Sequence, residues 1–88
     1  MVSHIYFKGT VQGVGFRYTC HNYAQGLGLK GTVRNLPDGR VELWAQGASD
    51  VIESLIEQLK DHFGGYIHEI QRNDQASDLE FPHFRIVF

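Results

Sequence analysis

The sequence predicts an α+β sandwich, a sheet carrying two helices on one face, in the order β-α-β-β-α-β with a short extra strand at the C-terminal end. Three observations predict it. Side chains alternate apolar and polar from Ile5 to Val11. Apolar residues recur at helical spacing from Phe16 to Leu27 and again from Ile52 to Phe63. Between those helical stretches lie two strand-like runs, Leu29 to Leu36 and Arg40 to Gly47, joined by Pro37-Asp38-Gly39. With 88 residues the chain has room for one core, so residues 1–88 are read as a single domain.

The first strand puts Ile5, Phe7 and Val11 on one face and Tyr6, Lys8 and Thr10 on the other. The glycine-rich run Val11-Gln12-Gly13-Val14-Gly15-Phe16 follows, and then Phe16, Cys20, Tyr23, Ala24 and Leu27 line one side of a helix. Gly28 is a suitable stop, while Gly26 in the last turn costs about 1 kcal/mol relative to Ala. Pro37-Asp38-Gly39 suits a tight link between antiparallel partners. Ser49 or Asp50 is the expected cap of the second helix, with Glu53 in its first turn and Ile52, Leu55, Ile56, Leu59 and Phe63 as its apolar stripe. Gly64-Gly65 ends it. Tyr66 to Arg72 reads as a fourth strand, Asn73 to Glu80 as a polar loop, and His83 to Phe88 as a last strand with Phe84, Ile86 and Phe88 facing opposite to Arg85 and Val87.

This order is the ferredoxin-like arrangement, an antiparallel sheet in which the first two strands run the same way with the third between them. The loop after the first strand, the start of the first helix and the end of the second strand then share one edge. Parity puts Asn35 on the face of Val33, so with Val33 in the core Asn35 looks toward the start of the first helix.

Composition narrows the partners. A net charge of −2, a pI near 6.2 and eight scattered Lys and Arg residues leave no basic tail or stripe for nucleic acid or membrane, so any bound anion must be gripped locally. No run of about 18 apolar residues occurs, and Met1-Val2-Ser3-His4 lacks the basic region that opens a signal peptide. A cytoplasmic protein is expected, and the single Cys20 fits a reducing compartment. Cys20 falls on the apolar helix stripe, which makes it a small core residue rather than a nucleophile. His4, His21, His62, His68 and His83 show no recognised metal-ligand spacing, so no metal is expected. Nothing demands more than a monomer.

The chemistry concentrates at Gln12-Gly13-Val14-Gly15-Phe16-Arg17. Two glycines and the free N–H groups of a first helical turn favour an anion, and the planar guanidinium of Arg17 can hold two phosphate oxygens at once. Glycines at a strand end also serve as plain turn formers, and Asn35 taken alone suits either a water molecule or the backbone groups of the hairpin. Dinucleotide and P-loop patterns do not fit, because Tyr18 stands where a third glycine would be needed and no Gly-Lys-Ser/Thr follows.

Gly9-Thr10-Val11-Gln12-Gly13-Val14-Gly15-Phe16-Arg17 resembles the signature of the acylphosphatase family, and Gly31-Thr32-Val33-Arg34-Asn35-Leu36-Pro37-Asp38-Gly39-Arg40-Val41-Glu42 resembles its second block. The resemblance covers the chain in length and element order and is weakest from Phe63 to Phe81. It implies a hydrolase acting on a small-molecule acyl phosphate and releasing inorganic phosphate, without cofactor. Arg17 would bind the phosphate with the loop amides of Gln12, Gly13, Val14, Gly15 and Phe16, and Asn35 would position the attacking water. Other readings are a non-catalytic ligand-binding module and an RNA-binding module, since Tyr6 and Trp44 share the outer sheet face where such domains stack bases. Against the latter, the basic-aromatic RNP1 run is missing and Glu42 lies beside Trp44.

Overall fold

The alternation of β1 (Val2–Gly9) and the helical stripe of α1 (Phe16–Gly26) come first in the chain, followed by the hairpin of β2 (Lys30–Asn35) and β3 (Val41–Gln46). Then come α2 (Ser49–Phe63), a 3₁₀ turn (Gly64–Tyr66), β4 (Ile67–Gln75) and β5 (Phe84–Val87). The computed structural model describes residues 1–76 and 79–88. Ser77 and Asp78, inside the expected polar loop, lie outside the described residues.

The strands form one sheet in the order β4-β1-β3-β2-β5. β1, β3, β2 and β4 pair antiparallel, as expected, but β5 runs parallel to β2. The sheet is therefore mixed rather than antiparallel throughout. The chain leaves β4 at one edge and re-enters as β5 at the opposite edge, where it comes to lie in the direction of β2. On the way, Gln46 donates to the Leu79 carbonyl (2.8 Å) and accepts from the Phe81 N–H (3.0 Å).

Ile5, Phe7, Val33, Val41, Leu43 and Ala45 of the sheet meet Phe16, Cys20 and Ala24 of α1 and Ile52, Leu55, Leu59 and Phe63 of α2. Each large apolar side chain buried there contributes roughly 1.5–3 kcal/mol. The rings of Phe7, Phe16 and Phe63 form a continuous chain, with centroids 4.9 and 4.7 Å apart, and so join β1, the first residue of α1 and the last residue of α2. Val11 is buried too, although β1 ends at Gly9 and Val11 belongs to the loop rather than to the expected strand. Gly28, at φ +71, follows the end of α1 as expected.

Two expectations give way to one polar cluster. β4 continues through Asn73, Asp74 and Gln75, pairing as far as Val2 with Gln75, where a loop was expected. The Ser3 hydroxyl donates to Asp74 (2.6 Å), and Arg72 bonds Asp74 (2.8 Å) and Glu53 (2.8 Å). Arg72 also reaches the Ser49 hydroxyl (3.1 Å), so Ser49 does not cap α2. The cap position is Ala48, without a side-chain bond, and Asp50 accepts the neighbouring Val51 N–H instead.

Trp44 and Tyr6 lie on the outer face, as expected. The His4 ring stacks on Trp44 at 3.7 Å and sits 4.6 Å from Tyr6, while the Arg40 guanidinium lies 4.4 Å over Tyr6. Glu42 is nearly buried here. Burial pushes its carboxyl pKa up, but hydrogen bonds from His4 (2.9 Å) and Arg34 (2.6 Å) outweigh that and hold it below the usual range. No helix among the described residues is long and apolar enough to cross a membrane.

β2 passes close to β3 at Gly31, φ +147, where a Cβ would run into the Trp44 carbonyl. Gly31→Ala is expected to lower stability by about 3 kcal/mol in urea denaturation. An unchanged midpoint would contradict this close approach.

Candidate active site

The site begins where β1 stops. Gly9 has φ +132 and lies against the Tyr66 carbonyl, which also accepts the Thr10 N–H at 2.8 Å. Beyond it the backbone alternates in handedness. Gly13 and Gly15 both have φ +78, and among the described residues none other than glycine has a positive φ. Alternation of this kind lets successive N–H groups converge on an anion. Nothing lies within 4 Å of a Cβ built at either glycine, so conformation rather than space requires them.

The loop is fastened from outside. The Gln12 amide nitrogen donates to the carbonyls of Leu36 (2.8 Å) and Arg40 (3.0 Å), clamping the loop to the β2–β3 turn. α1 then starts without a side-chain cap and without an acidic residue in its first turn. Its first backbone bond runs from Thr19 N to Gly15 O (3.0 Å). The amides of Phe16, Arg17 and Tyr18 therefore have no helical acceptor, and the positive end of the helix dipole is uncompensated.

Phe16 points into the core and Arg17 away from it. The Arg17 guanidinium lies 4.7 Å over the ring of Phe88 and has no ion pair among the described residues. Asn35, the last residue of β2, is half-buried on the face of Val33, as parity requires. Its side-chain oxygen is buried and has no hydrogen-bond partner among the described residues.

These parts surround one pocket of about 290 Å³ lined by Val11, Gly13, Gly15, Phe16, Arg17, Tyr18, Asn35, Ile86 and Phe88. The structure thus brings Gly13, Gly15, Phe16, Arg17 and Asn35 together. Of the other expected site residues, Gln12 turns its side chain to the hairpin and Val14 packs against the core. Tyr18, Ile86 and Phe88 are additions that local sequence did not mark. Ile86 and Phe88 arrive only because β5 lies beside β2. Cys20 is buried in the core, and burial pushes its thiol pKa far up, so it is no nucleophile. No histidine lines the pocket. Among the described residues no group of three or more His, Cys, Asp or Glu is placed to hold a metal ion.

Known proteins resemble this chain throughout. The family model Acylphosphatase matches residues 3–86. Identity to the acylphosphatase of Acaryochloris marina is 58% over 82 residues, covering 91% of this chain and 86% of that one. Three further curated acylphosphatases, that of Bifidobacterium longum among them, align at 52–57% over 53–56 residues, so the match spans a little over half of their length. The crystal structure of acylphosphatase from Bacillus subtilis superposes with a TM-score of 0.91 at 34% identity, covering both chains completely. HypF from T. kodakarensis matches with a TM-score of 0.84 at 30% identity, covering this whole chain and 12% of that one.

The Gln12 clamp is directly testable. Gln12→Leu removes both donors and leaves two carbonyls to find other partners, which should cost about 1–2 kcal/mol in denaturation. No loss of stability would show that the loop keeps its place without the clamp.

Proposed function

The chain belongs to the acylphosphatase family, and on that premise we propose that it hydrolyses acyl phosphates to a carboxylate and inorganic phosphate in the pocket between the glycine loop and Asn35. The observation that carries the proposal is the buried oxygen of Asn35, without a partner among the described residues, in the wall that also holds Arg17. A buried acceptor left unpaired costs about 1–3 kcal/mol, so that position calls for a donor, and a water O–H supplies one.

In this reading the phosphate sits at the start of α1. The amides of Gln12 to Phe16 and the helix dipole face its oxygens, and Arg17 spans two of them with its planar fork. The acidless first turn leaves that positive field undiminished. Asn35 holds a water on the phosphorus side opposite the acyl group. As the water oxygen bonds to phosphorus, the bond from phosphorus to the acyl oxygen breaks and its electron pair leaves on the carboxylate. The proton of the water passes to a phosphate oxygen.

A carboxylate, with a pKa of about 4, leaves without being protonated, so no strong general acid is required. The enzyme's part is positioning and charge stabilisation by donors fixed in advance. That agrees with a pocket whose lining contains neither histidine nor carboxylate side chain. In this reading neither metal nor cofactor takes part.

The test is hydrolysis of acetyl or benzoyl phosphate in excess chelator. Arg17→Lys keeps the charge but loses the fork, and turnover should fall about 100-fold. Asn35→Ala should lower kcat about as much while inorganic phosphate still inhibits. Near-normal turnover in the lysine variant would refute the fork. Lost phosphate inhibition with intact turnover in the alanine variant would refute the water-positioning role, and an inactive parent would refute the activity.

A further inference from the structure

We propose that Tyr6 and Arg40 are positioning residues for the phosphate loop, holding from the outer face of the sheet the turn to which Gln12 ties that loop. The role rests on the acyl-phosphate reading above. Neither side chain lines the pocket, so their influence on a bound phosphate passes through the backbone.

The two carbonyls that Gln12 grips are also the ones that close the β2–β3 turn. The Leu36 carbonyl accepts the Gly39 N–H (3.1 Å) besides the Gln12 amide (2.8 Å), and the Arg40 carbonyl accepts the Leu36 N–H (2.8 Å) besides the Gln12 amide (3.0 Å). A carbonyl oxygen has two lone pairs, and here both are used. A shift of the turn therefore carries Gln12 with it, and the neighbouring loop amides move too.

The Arg40 side chain opposes such a shift. Gly39, at φ +94, is the conformationally free residue of the turn, and Arg40 directly after it is pinned on two sides. Its Nε donates to Asp38 (2.8 Å), its backbone N–H donates to the same carboxylate (3.1 Å), and its guanidinium lies 4.4 Å over the Tyr6 ring. Only a planar cation can bond at its edge and stack through its face at once. The Arg40 N–H first, and then its guanidinium, hold the Asp38 carboxyl below the usual range, so the pair stays charged at neutral pH.

Tyr6 is a firm anchor. It pairs with Glu42 of β3 on one side and Gln71 of β4 on the other, and the His4 ring lies 4.6 Å away. It also belongs to β1, the strand from which the loop departs. The contact between Tyr6 and Arg40 thus joins the strand that the loop leaves to the turn to which it is tied, and both supports move as one.

The loop amides face the phosphate in the bound substrate and in the transition state alike, so loosening them weakens binding more than chemistry. A contact and an ion pair that are both partly exposed bound the effect at about fivefold.

The experiment measures kcat and KM for benzoyl phosphate and, by calorimetry, the Kd of inorganic phosphate. Tyr6→Leu and Arg40→Met should each raise KM and the phosphate Kd together by about fivefold, with kcat within about twofold of the parent. Tyr6→Phe keeps the ring and should keep the parental values. In a Gln12→Leu background the same two replacements should change KM and Kd no further, a non-additivity that general destabilisation would not produce. Unchanged KM and Kd in both variants, a Tyr6→Phe as impaired as Tyr6→Leu, or full effects without Gln12 would overturn this inference alone. A parent that binds phosphate but hydrolyses nothing would overturn the acyl-phosphate reading, while the phosphate Kd of the variants still decides the positioning role. A parent that does neither would overturn both.

Discussion

Everything at the candidate site depends on where one ring is buried. Phe16 is the first residue of α1, and its side chain sits between Phe7 of β1 and Phe63 of α2. Interiors are packed too tightly for such a ring to shift far, so its position fixes the start of the helix against the sheet. Helical geometry then turns each following residue by about 100°. With Phe16 inward, Arg17 is half-buried at the pocket and Tyr18 reaches solvent. The glycine before the ring closes the loop, and the arginine after it gives the site its charge.

A second constraint comes from topology. β3 lies between β1 and β2, so the loop leaving β1 and the last residue of β2 reach the same end of the sheet without touching in sequence. Gln12 closes the gap by gripping carbonyls at both ends of the hairpin turn. The loop and Asn35 are consequently held by one rigid frame, the condition under which fixed donors stabilise charge efficiently.

Much of this was legible in the sequence because it is written in local periodicity. The apolar stripes of both helices, the Pro37-Asp38-Gly39 turn, the glycine loop with Arg17 and the parity of Asn35 need only neighbours along the chain. What escaped depends on distant partners. Asn73, Asp74 and Gln75 read as loop by their polarity, yet they form strand because β1 offers its backbone and Ser3 meets Asp74. Ser49 looked like a cap, but Arg72 occupies its hydroxyl. β5 pairs parallel to β2 only through a connection that crosses from one sheet edge to the other, and no local pattern announces it. The acceptors of Gln12 lie 24 and 28 residues away, and Phe88 meets Arg17 from the far end of the chain.

The polarity that hid the end of β4 also sets the character of one margin of the sheet. β4 and β5 are the two open margins of the sheet, and unpaired strand backbone is a template for adding another chain. β5 offers only four residues. β4 is longer, but its run Glu69, Gln71, Arg72, Asn73, Asp74 and Gln75 covers the margin with charged and amide side chains. The side chains that work against strand addition at this margin thus lie in the stretch that least resembles a strand.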